Sequence, residues 1–378
     1  MKKLIFLTNI PAPYRHHLFN KIAKRYPNSL FVFSLLNEPD RSWGNKYNDI
    51  DYNYLILSKS KNTKMKRFNY KIIFILLRYA NKDTVFFIGS FGSINGKLVI
   101  LLSKIIKYKY VIWSDGEIFK QLNKNIFDKK CKSYNYADAI VVPGNKGKRY
   151  FEKFGVKPEK IFNSYFSHDV YEYKKFYNEK SFYRSKIRKK LNISEDDLVM
   201  ITVSRFLDLK RLEDLRDALS ILENNSNKYY RMNLILIGDG EHNKPVYEMI
   251  KKSRNIDIHW IKAVRYSNIP EYYAASDFMV FPSEGDIWGL VVNEALSMGL
   301  PVICTNIIGA SKLVQDGHNG FIVPPRSPII IAEKIQYLYN YPEILSYMSL
   351  NASSIYKRWN SDMAIDSIEK LIKYLEER

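Results

Sequence analysis

The segment Phe281–Gly299, FPSEGDIWGLVVNEALSMG, places acidic residues around the start of a helix. After an apolar run and a Pro-Ser pair, a loop carries Glu284 and Asp286, and a helical pattern begins near Leu290 with Glu294 in its first turns. A helix N-terminus attracts anions, and an ionised carboxylate accepts hydrogen bonds from a diol. The segment therefore suits a nucleotide sugar, although two acids beside a helix start are also favourable partners of the helix dipole.

A second segment, VSRFLDLKR at Val203–Arg211, places two cations where an apolar run ends. Arg205 and Lys210 lie between the end of a predicted strand and a helix that starts near Leu212. Two such cations can clamp a diphosphate, and each charged hydrogen bond contributes about 1.5–3 kcal/mol. Alone, the signal has low specificity, because Arg and Lys flank many helices.

A third segment is a Gly-Asp-Gly turn, Gly238, Asp239 and Gly240, which directly follows an apolar run. Such turns are common, since glycine adopts backbone conformations that other residues avoid. By itself this turn predicts only the end of a strand.

Taken together, these segments resemble the GT4 family of retaining glycosyltransferases. The family pattern E-x-F-G-x4-E after a Pro-Ser pair corresponds to Ser283, Asp286, Gly289 and Glu294, and the pattern G-R-x4-K, found about 80 residues earlier, corresponds to Arg205 and Lys210. The first acid is Asp286 where the family has Glu. Because Asp is one methylene shorter, Glu284, two residues earlier, is the alternative for that role.

The resemblance implies a role for each matching residue. It implies that Glu294 binds ribose, and that Asp286 with the backbone of Gly289 and Leu290 holds the donor sugar. Arg205 and Lys210 would hold the donor pyrophosphate and stabilise the departing nucleotide. The residues implied to surround the nucleotide and the donor sugar are Ser283, Glu284, Gly238, Asp239, Gly240 and Val264.

The first half of the chain matches the family less well. Tyr14 and Arg15, in the Pro-x-Pro-Tyr-Arg segment after the first apolar run, are candidate acceptor contacts. Asp115 and Glu117 follow a later apolar run and are candidates for orienting the donor sugar or the acceptor hydroxyl. Neither a metal nor a cofactor is expected, because the family stabilises charge with cations of the protein, and the nucleotide sugar is a co-substrate.

Apolar runs alternate with amphipathic stretches along the whole chain, which predicts an α/β protein with doubly wound parallel sheets. Strands are predicted at Leu4–Thr8, Leu30–Ser34, Tyr54–Leu57, Val85–Ile88, Tyr110–Trp113 and Ala139–Val142, and at Val199–Val203, Leu234–Ile237, Ile256–Ile261, Phe278–Phe281, Val302–Cys304 and Gly320–Val323.

The pattern repeats on either side of a stretch rich in Tyr and Lys, so two domains are predicted. Residues 1–165 with about 358–378 form a Rossmann-like acceptor domain, 166–195 a linker, and 196–357 a Rossmann-like donor domain. The last helix is predicted over Ser353–Glu377. The resemblance implies the GT-B fold, in which the C-terminal helix crosses back to the first domain and substrates bind between the domains.

The positive charge is confined to the first half of the chain. Residues 1–190 carry 39 Lys and Arg against 14 Asp and Glu, a net charge of +25, whereas residues 191–378 carry 20 against 25, a net charge of −5. Cations interleaved with aromatic and aliphatic side chains suit an anionic membrane surface. Nucleic acid is a less favoured partner, and a compositional bias with solvated lysines is a further explanation.

The sequence thus predicts a metal-independent, retaining hexosyltransferase that moves a sugar from a nucleotide sugar to a lipid-linked or polysaccharide acceptor. The expected setting is bacterial envelope glycan assembly, such as capsule, lipopolysaccharide or exopolysaccharide, at the cytoplasmic face of the plasma membrane. A GT-B relative that hydrolyses or epimerises the nucleotide sugar alone is the main alternative. A basic surface-binding or nucleic-acid-binding protein is a weaker one. Only two cysteines are present, which excludes a disulfide framework.

Overall fold

The computed structural model describes residues 3–9, 13–35, 50–57, 68–89, 91–114, 124–164, 170–224, 231–354 and 361–378. The chain divides into two compact units. The first comprises the described residues of 1–166 together with Ser361–Arg378, and the second comprises the described residues of 167–360.

The first unit is built on a seven-stranded parallel sheet in the order β3-β2-β1-β4-β5-β6-β7. Its strands are β1 Lys3–Thr8, β2 Leu30–Ser34, β3 Asn53–Ile56, β4 Thr84–Ile88, β5 Lys109–Trp113, β6 Ala139–Val142 and β7 Ile161–Asn163. Its helices are α1 Pro13–Arg25, α2 Lys71–Tyr79, α3 Ile94–Ile106, α4 Lys124–Asn135, α5 Gly144–Glu152 and α14 Ser361–Glu376.

The strands of this sheet are short apolar runs because both faces of the sheet are covered. All five residues of β4, TVFFI, are buried. The six strands predicted in this half agree with the structure to within a residue or two. The seventh, β7, was not predicted, since its three half-buried residues, IFN, carry too little periodicity to indicate a strand.

The C-terminal helix α14 returns to the first unit, as the fold resemblance implied. Ala364, Ile368 and Leu371 of α14 are buried in the same apolar cluster as Phe6 of β1 and Phe19 of α1. Over the described residues, the helix predicted for Ser353–Glu377 is present as α14, Ser361–Glu376, and the preceding helix α13 ends at Ser353. Trp359 lies outside the described residues.

The second unit is built on a six-stranded parallel sheet in the order β10-β9-β8-β11-β12-β13. Its strands are β8 Leu198–Val203, β9 Met232–Ile237, β10 Ile256–Ile261, β11 Phe278–Phe281, β12 Val302–Thr305 and β13 Gly320–Val323. Its helices are α6 Val170–Asn178, α7 Lys180–Leu191, α8 Leu212–Asn224, α9 Lys244–Lys252, α10 Ile269–Ala275, α11 Leu290–Ser297, α12 Pro328–Asn340 and α13 Pro342–Ser353.

The direction in which successive strands are added to this parallel sheet reverses between β8 and β11, which are paired neighbours. From β8 the chain moves outward through β9 and β10, and from β11 it moves the other way through β12 and β13. Ligands of doubly wound sheets bind at the carboxyl ends of the strands at such a switch point. The loops after β8 and β11 are the two that carry the cationic and acidic motifs.

The segment expected to be a linker, 166–195, contributes two helices to the second unit, α6 and α7. The guanidinium of Arg188, on α7, is fully buried and donates to Asp277 and to four carbonyl oxygens. The sequence did not indicate this packing, because α7 is rich in Lys and Arg and has a weak apolar face.

Candidate active site

The loop after β8 is held against the sheet by a buried aromatic side chain. Phe206 is fully buried, whereas Arg205 before it is exposed. A short 3-10 helix, Asp208–Lys210, then leads through Arg211, whose backbone is left-handed, into α8. The loop therefore anchors Phe206 and leaves the Arg205 side chain in solvent.

The Gly-Asp-Gly turn after β9 lies directly against this loop. The backbone N–H of Phe206 donates to the carbonyl of Asp239 at 2.9 Å. A Cβ atom on Gly238 would lie 1.8 Å from the carbonyl oxygen of Ser204, and one on Gly240 would lie 2.3 Å from that of Phe206. The two glycines are therefore required by the close approach of the β8 and β9 loops.

Lys210 and Asp286 form a hydrogen-bonded ion pair between the loops after β8 and β11. Ser283 supports the pair, because its hydroxyl donates to the carbonyl of Leu209 at 3.1 Å and lies 3.3 Å from Asp286 Oδ2. The backbone N–H of Glu284 also donates to the Leu209 carbonyl, at 2.9 Å. The structure thus brings together the cation and the acid that the two motifs singled out.

Glu284 faces a different cation. Its two carboxylate oxygens accept hydrogen bonds from Arg326 at 2.8 and 2.9 Å, in a bidentate arrangement. The Arg326 hydrogen bond lowers the pKa of Glu284. Asp286 is therefore the acid that lies beside Lys210, whereas Glu284 is engaged by a residue that the sequence did not single out.

The loop carrying Asp286 leads into α11 through Gly289, whose φ of +89° suits glycine. Trp288 is buried, and its indole N–H donates to Asn293 at 2.8 Å, which fixes the loop on the first turns of α11. Leu290 is the first residue of this helix. The strand–loop–helix–strand unit predicted for this segment is present.

Glu294 lies deeper than its expected role suggests. Only 2% of it is exposed, and its carboxylate accepts hydrogen bonds from the hydroxyls of Tyr266 at 3.1 Å and Tyr273 at 3.0 Å. Burial raises the pKa of Glu294 to about 7, against the lowering effect of these hydrogen bonds. The sequence missed both tyrosines, because they come from a 3-10 helix and from α10 and have no fixed spacing to Glu294.

Val264 is half-buried in the loop after β10. This strand is tied to the Gly-Asp-Gly turn by Trp260, whose indole N–H donates to the carbonyl of Gly238 at 2.8 Å. The predicted nucleotide-side residues thus lie on consecutive strand ends of one sheet.

In the first unit, Arg15 donates to the hydroxyl of Thr8 at 2.6 Å, so it braces the end of β1. Tyr14 lies within α1, and Asp115 and Glu117 lie outside the described residues. A residue not singled out from the sequence, His16, is hydrogen-bonded to Tyr52, and burial lowers its pKa to about 4.

Among the described residues, one group has the spacing of metal ligands: Asp208, Glu213 and His242, whose ligand atoms lie within 4.8 Å of one another. Arg211 already pairs with Glu213 there, and its charge opposes a cation. Arg211 therefore occupies the position of a positive charge in this group, and the group does not favour a metal ion.

Two parallel α/β units with a returning C-terminal helix define the GT-B fold. Over 99% of this chain and 100% of the other, the fold matches the crystal structure of Anabaena Alr3699/HepE in complex with UDP, with a TM-score of 0.77 and 18% identity. The fold class predicted from the sequence is confirmed.

Residues 183–354 match the family model described as glycosyl transferases group 1, in agreement with the glycosyltransferase resemblance of the motifs. The chain is 25% identical over 220 residues to the N-acetyl-alpha-D-glucosaminyl L-malate synthase of Bacillus anthracis, covering 57% of this chain and 54% of that protein. It is 31% identical over 171 residues to the capsular polysaccharide biosynthesis glycosyltransferase CapM of Staphylococcus aureus, covering 45% and 43%. The match thus spans about half the length of these relatives.

No helix among the described ranges is long and apolar enough to cross a membrane.

Proposed function

We propose that this protein is a GT4-type retaining glycosyltransferase that uses a nucleotide sugar and needs no metal ion or further cofactor. The observation that carries the proposal is the Lys210–Asp286 pair, which joins the loops after β8 and β11 at the switch point of the second sheet. Arg205 lies exposed on the same loop as Lys210.

In this proposal the diphosphate of the donor binds beside Arg205 and Lys210. Lys210 exchanges Asp286 for a phosphate oxygen, and the released carboxylate accepts hydrogen bonds from the donor sugar. The acceptor hydroxyl oxygen bonds to the anomeric carbon as the bond from that carbon to the diphosphate breaks, and the hydroxyl proton passes to the leaving diphosphate. Negative charge grows on the leaving phosphate, where both cations stabilise it. Retention is proposed from the family resemblance.

Asp286, not Glu284, is proposed as the acid that accepts hydrogen bonds from the donor sugar. Glu284 has both oxygens engaged by Arg326, whereas Asp286 is held by a lysine that the diphosphate can attract away. Removing Asp286 should therefore weaken sugar recognition, while removing Glu284 should chiefly release Arg326.

The proposed setting is bacterial envelope glycan assembly with a lipid-linked or polysaccharide acceptor at the inner face of the plasma membrane. Two similarities support it: HepE is solved in complex with UDP and with UDP-glucose, and CapM is named for capsular polysaccharide biosynthesis. The basic first half fits an acceptor held at an anionic surface.

The donor is identified first, by thermal unfolding of the chain with UDP-, GDP- and ADP-sugars. A donor at 100 times its Kd should add about 2.7 kcal/mol to the free energy of unfolding. Turnover of that donor is then followed as release of the nucleoside diphosphate, with and without glycan or lipid-linked acceptors.

Arg205→Ala and Lys210→Ala should each lower turnover at least about a hundredfold, because each removes a cation from the developing phosphate charge. The control is Lys244→Ala, whose side chain is 85% exposed, on α9. Wild-type turnover in both loop variants would refute the proposal. Donor hydrolysis or epimerisation with no requirement for an acceptor would replace it with the nucleotide-sugar hydrolase or epimerase alternative.

A further inference from the structure

Helices α2 and α3 lie on the same face of the first sheet. Ile72 and Ile75 of α2 and Val99 of α3 are buried in one apolar cluster over that sheet. The side-chain oxygen of Asn95, at the start of α3, accepts a hydrogen bond from the backbone N–H of Asn69, just before α2, at 2.8 Å. The inward faces of the two helices are therefore fixed on a common core.

The outward faces of the same helices are also apolar. We call them the docking face, formed by the exposed side chains of Ile73, Phe74, Leu77, Ile94, Leu101 and Ile105. Leu77 is 77% exposed and Ile105 is 72% exposed. The residues recur at helical spacing, so each helix carries an apolar stripe that points away from the sheet. Single exposed apolar residues are ordinary, but two stripes on adjacent helices are not.

Cations flank the docking face and acids are almost absent from it. Lys71 and Arg78 on α2 and Lys97, Lys104 and Lys107 on α3 and its C-cap are all exposed. Between residues 52 and 114 the sequence has 12 Lys and Arg, and Asp83 is its single acid. The docking face therefore favours a partner that presents both anionic groups and an apolar layer.

An anionic bilayer meets both requirements. Its phosphates contact the lysines and the arginine, and apolar side chains enter the boundary between headgroups and acyl chains. A second copy of a chain with net charge +20 would set like charges against each other. A nucleic acid would satisfy the cations but leave the aliphatic stripes in water.

We infer that the docking face of α2 and α3 binds the surface of an anionic lipid bilayer by inserting its apolar side chains between flanking cations. The inference goes beyond the proposed function by assigning the membrane contact to particular residues. It does not depend on sugar transfer, since the surface contains none of the residues assigned to the donor.

The test is co-sedimentation of the full chain with phosphatidylcholine vesicles, with and without phosphatidylglycerol. The wild type should bind the anionic vesicles, and added salt should weaken the binding. Leu77→Gln with Leu101→Gln should lower the partition constant at least about tenfold, because two apolar side chains lose their burial in lipid. Lys97→Gln should lower it about fivefold on anionic vesicles.

The matched control is Ile329→Gln with Leu350→Gln in the second unit, whose side chains are 62% and 71% exposed. It should bind vesicles like the wild type. Both pairs replace exposed residues, and circular dichroism and thermal unfolding confirm that each variant is folded.

Equal loss in the two double variants, or no binding of the wild type to anionic vesicles, would overturn the inference. So would salt-sensitive RNA binding without vesicle binding, or a dimer that the Leu77 and Leu101 changes dissociate. The vesicle assay contains no nucleotide sugar, so it measures membrane binding independently of sugar transfer. A protein that binds vesicles but transfers no sugar would contradict only the proposed function.

Discussion

Burial of Glu294 should make the stability of the second unit depend on pH in an unusual direction. Most carboxyls in folded proteins have ordinary or lowered pKa values, but burial raises that of Glu294 from 4.5 to about 7. Below about pH 4.5 this group is protonated in both the folded and the unfolded chain. Between about pH 4.5 and 7 the unfolded chain ionises first, so the free energy of unfolding falls as pH rises.

The size of this fall follows from the difference in pKa. Each pKa unit corresponds to about 1.4 kcal/mol, so ionising Glu294 costs the folded state about 3 kcal/mol once the pH is above 7. Glu294→Gln removes the titration but keeps an oxygen that accepts from Tyr273. The variant should match the wild type near pH 4.5 and exceed its free energy of unfolding by up to about 3 kcal/mol near pH 8.

The assay is urea denaturation of both proteins at several pH values from about 4.5 to 8, with the variant compared with the wild type at each pH, so that other titrating groups cancel. Glu284→Gln is the control: the Arg326 hydrogen bond lowers the pKa of Glu284 from 4.5, so this group titrates below the pH range of the assay and the difference between the variant and the wild type should stay nearly constant across it. A difference between wild type and Glu294→Gln that stays constant with pH would refute the reasoning.

Two further outcomes are expected. Arg188→Met should lower the free energy of unfolding by about 3–5 kcal/mol in urea denaturation, because it leaves four carbonyl oxygens without their buried donor and removes one of the two arginines that pair with Asp277. Arg326→Met, which removes a 65% exposed partner, should cost at most about 1 kcal/mol, and equal losses would contradict this. Gly238→Ala should abolish the thermal shift on donor binding, because its Cβ would lie 1.8 Å from the Ser204 carbonyl oxygen. Gly92→Ala is the control and should keep the shift, because its Cβ would have no atom within 4 Å. An unchanged shift in Gly238→Ala would count against the close approach of the β8 and β9 loops.

Local pattern was sufficient for the strands and for much of the site. Buried strands such as β4 and β9 are mostly continuous apolar runs, so a short stretch of sequence is sufficient to predict where each lies. The sequence also placed Lys210 and Asp286 in loops that follow strands whose carboxyl ends share one edge of a sheet, although it did not predict their ion pair. The returning helix followed from the family resemblance.

The sequence by itself determined the positions of all the described strands except β7, which loops carry charge, and that two parallel sheets result. Only the tertiary structure decided the partners of the acids: Arg326 engages Glu284, and Tyr266 and Tyr273 enclose Glu294. The packing of α7 was not evident from the sequence for the same reason, since Arg188 is buried against Asp277, which lies far along the chain. Hydrophobic periodicity predicts which residues of one local segment are buried. It carries no information about these contacts, because they join residues that are far apart in the chain and have no regular spacing.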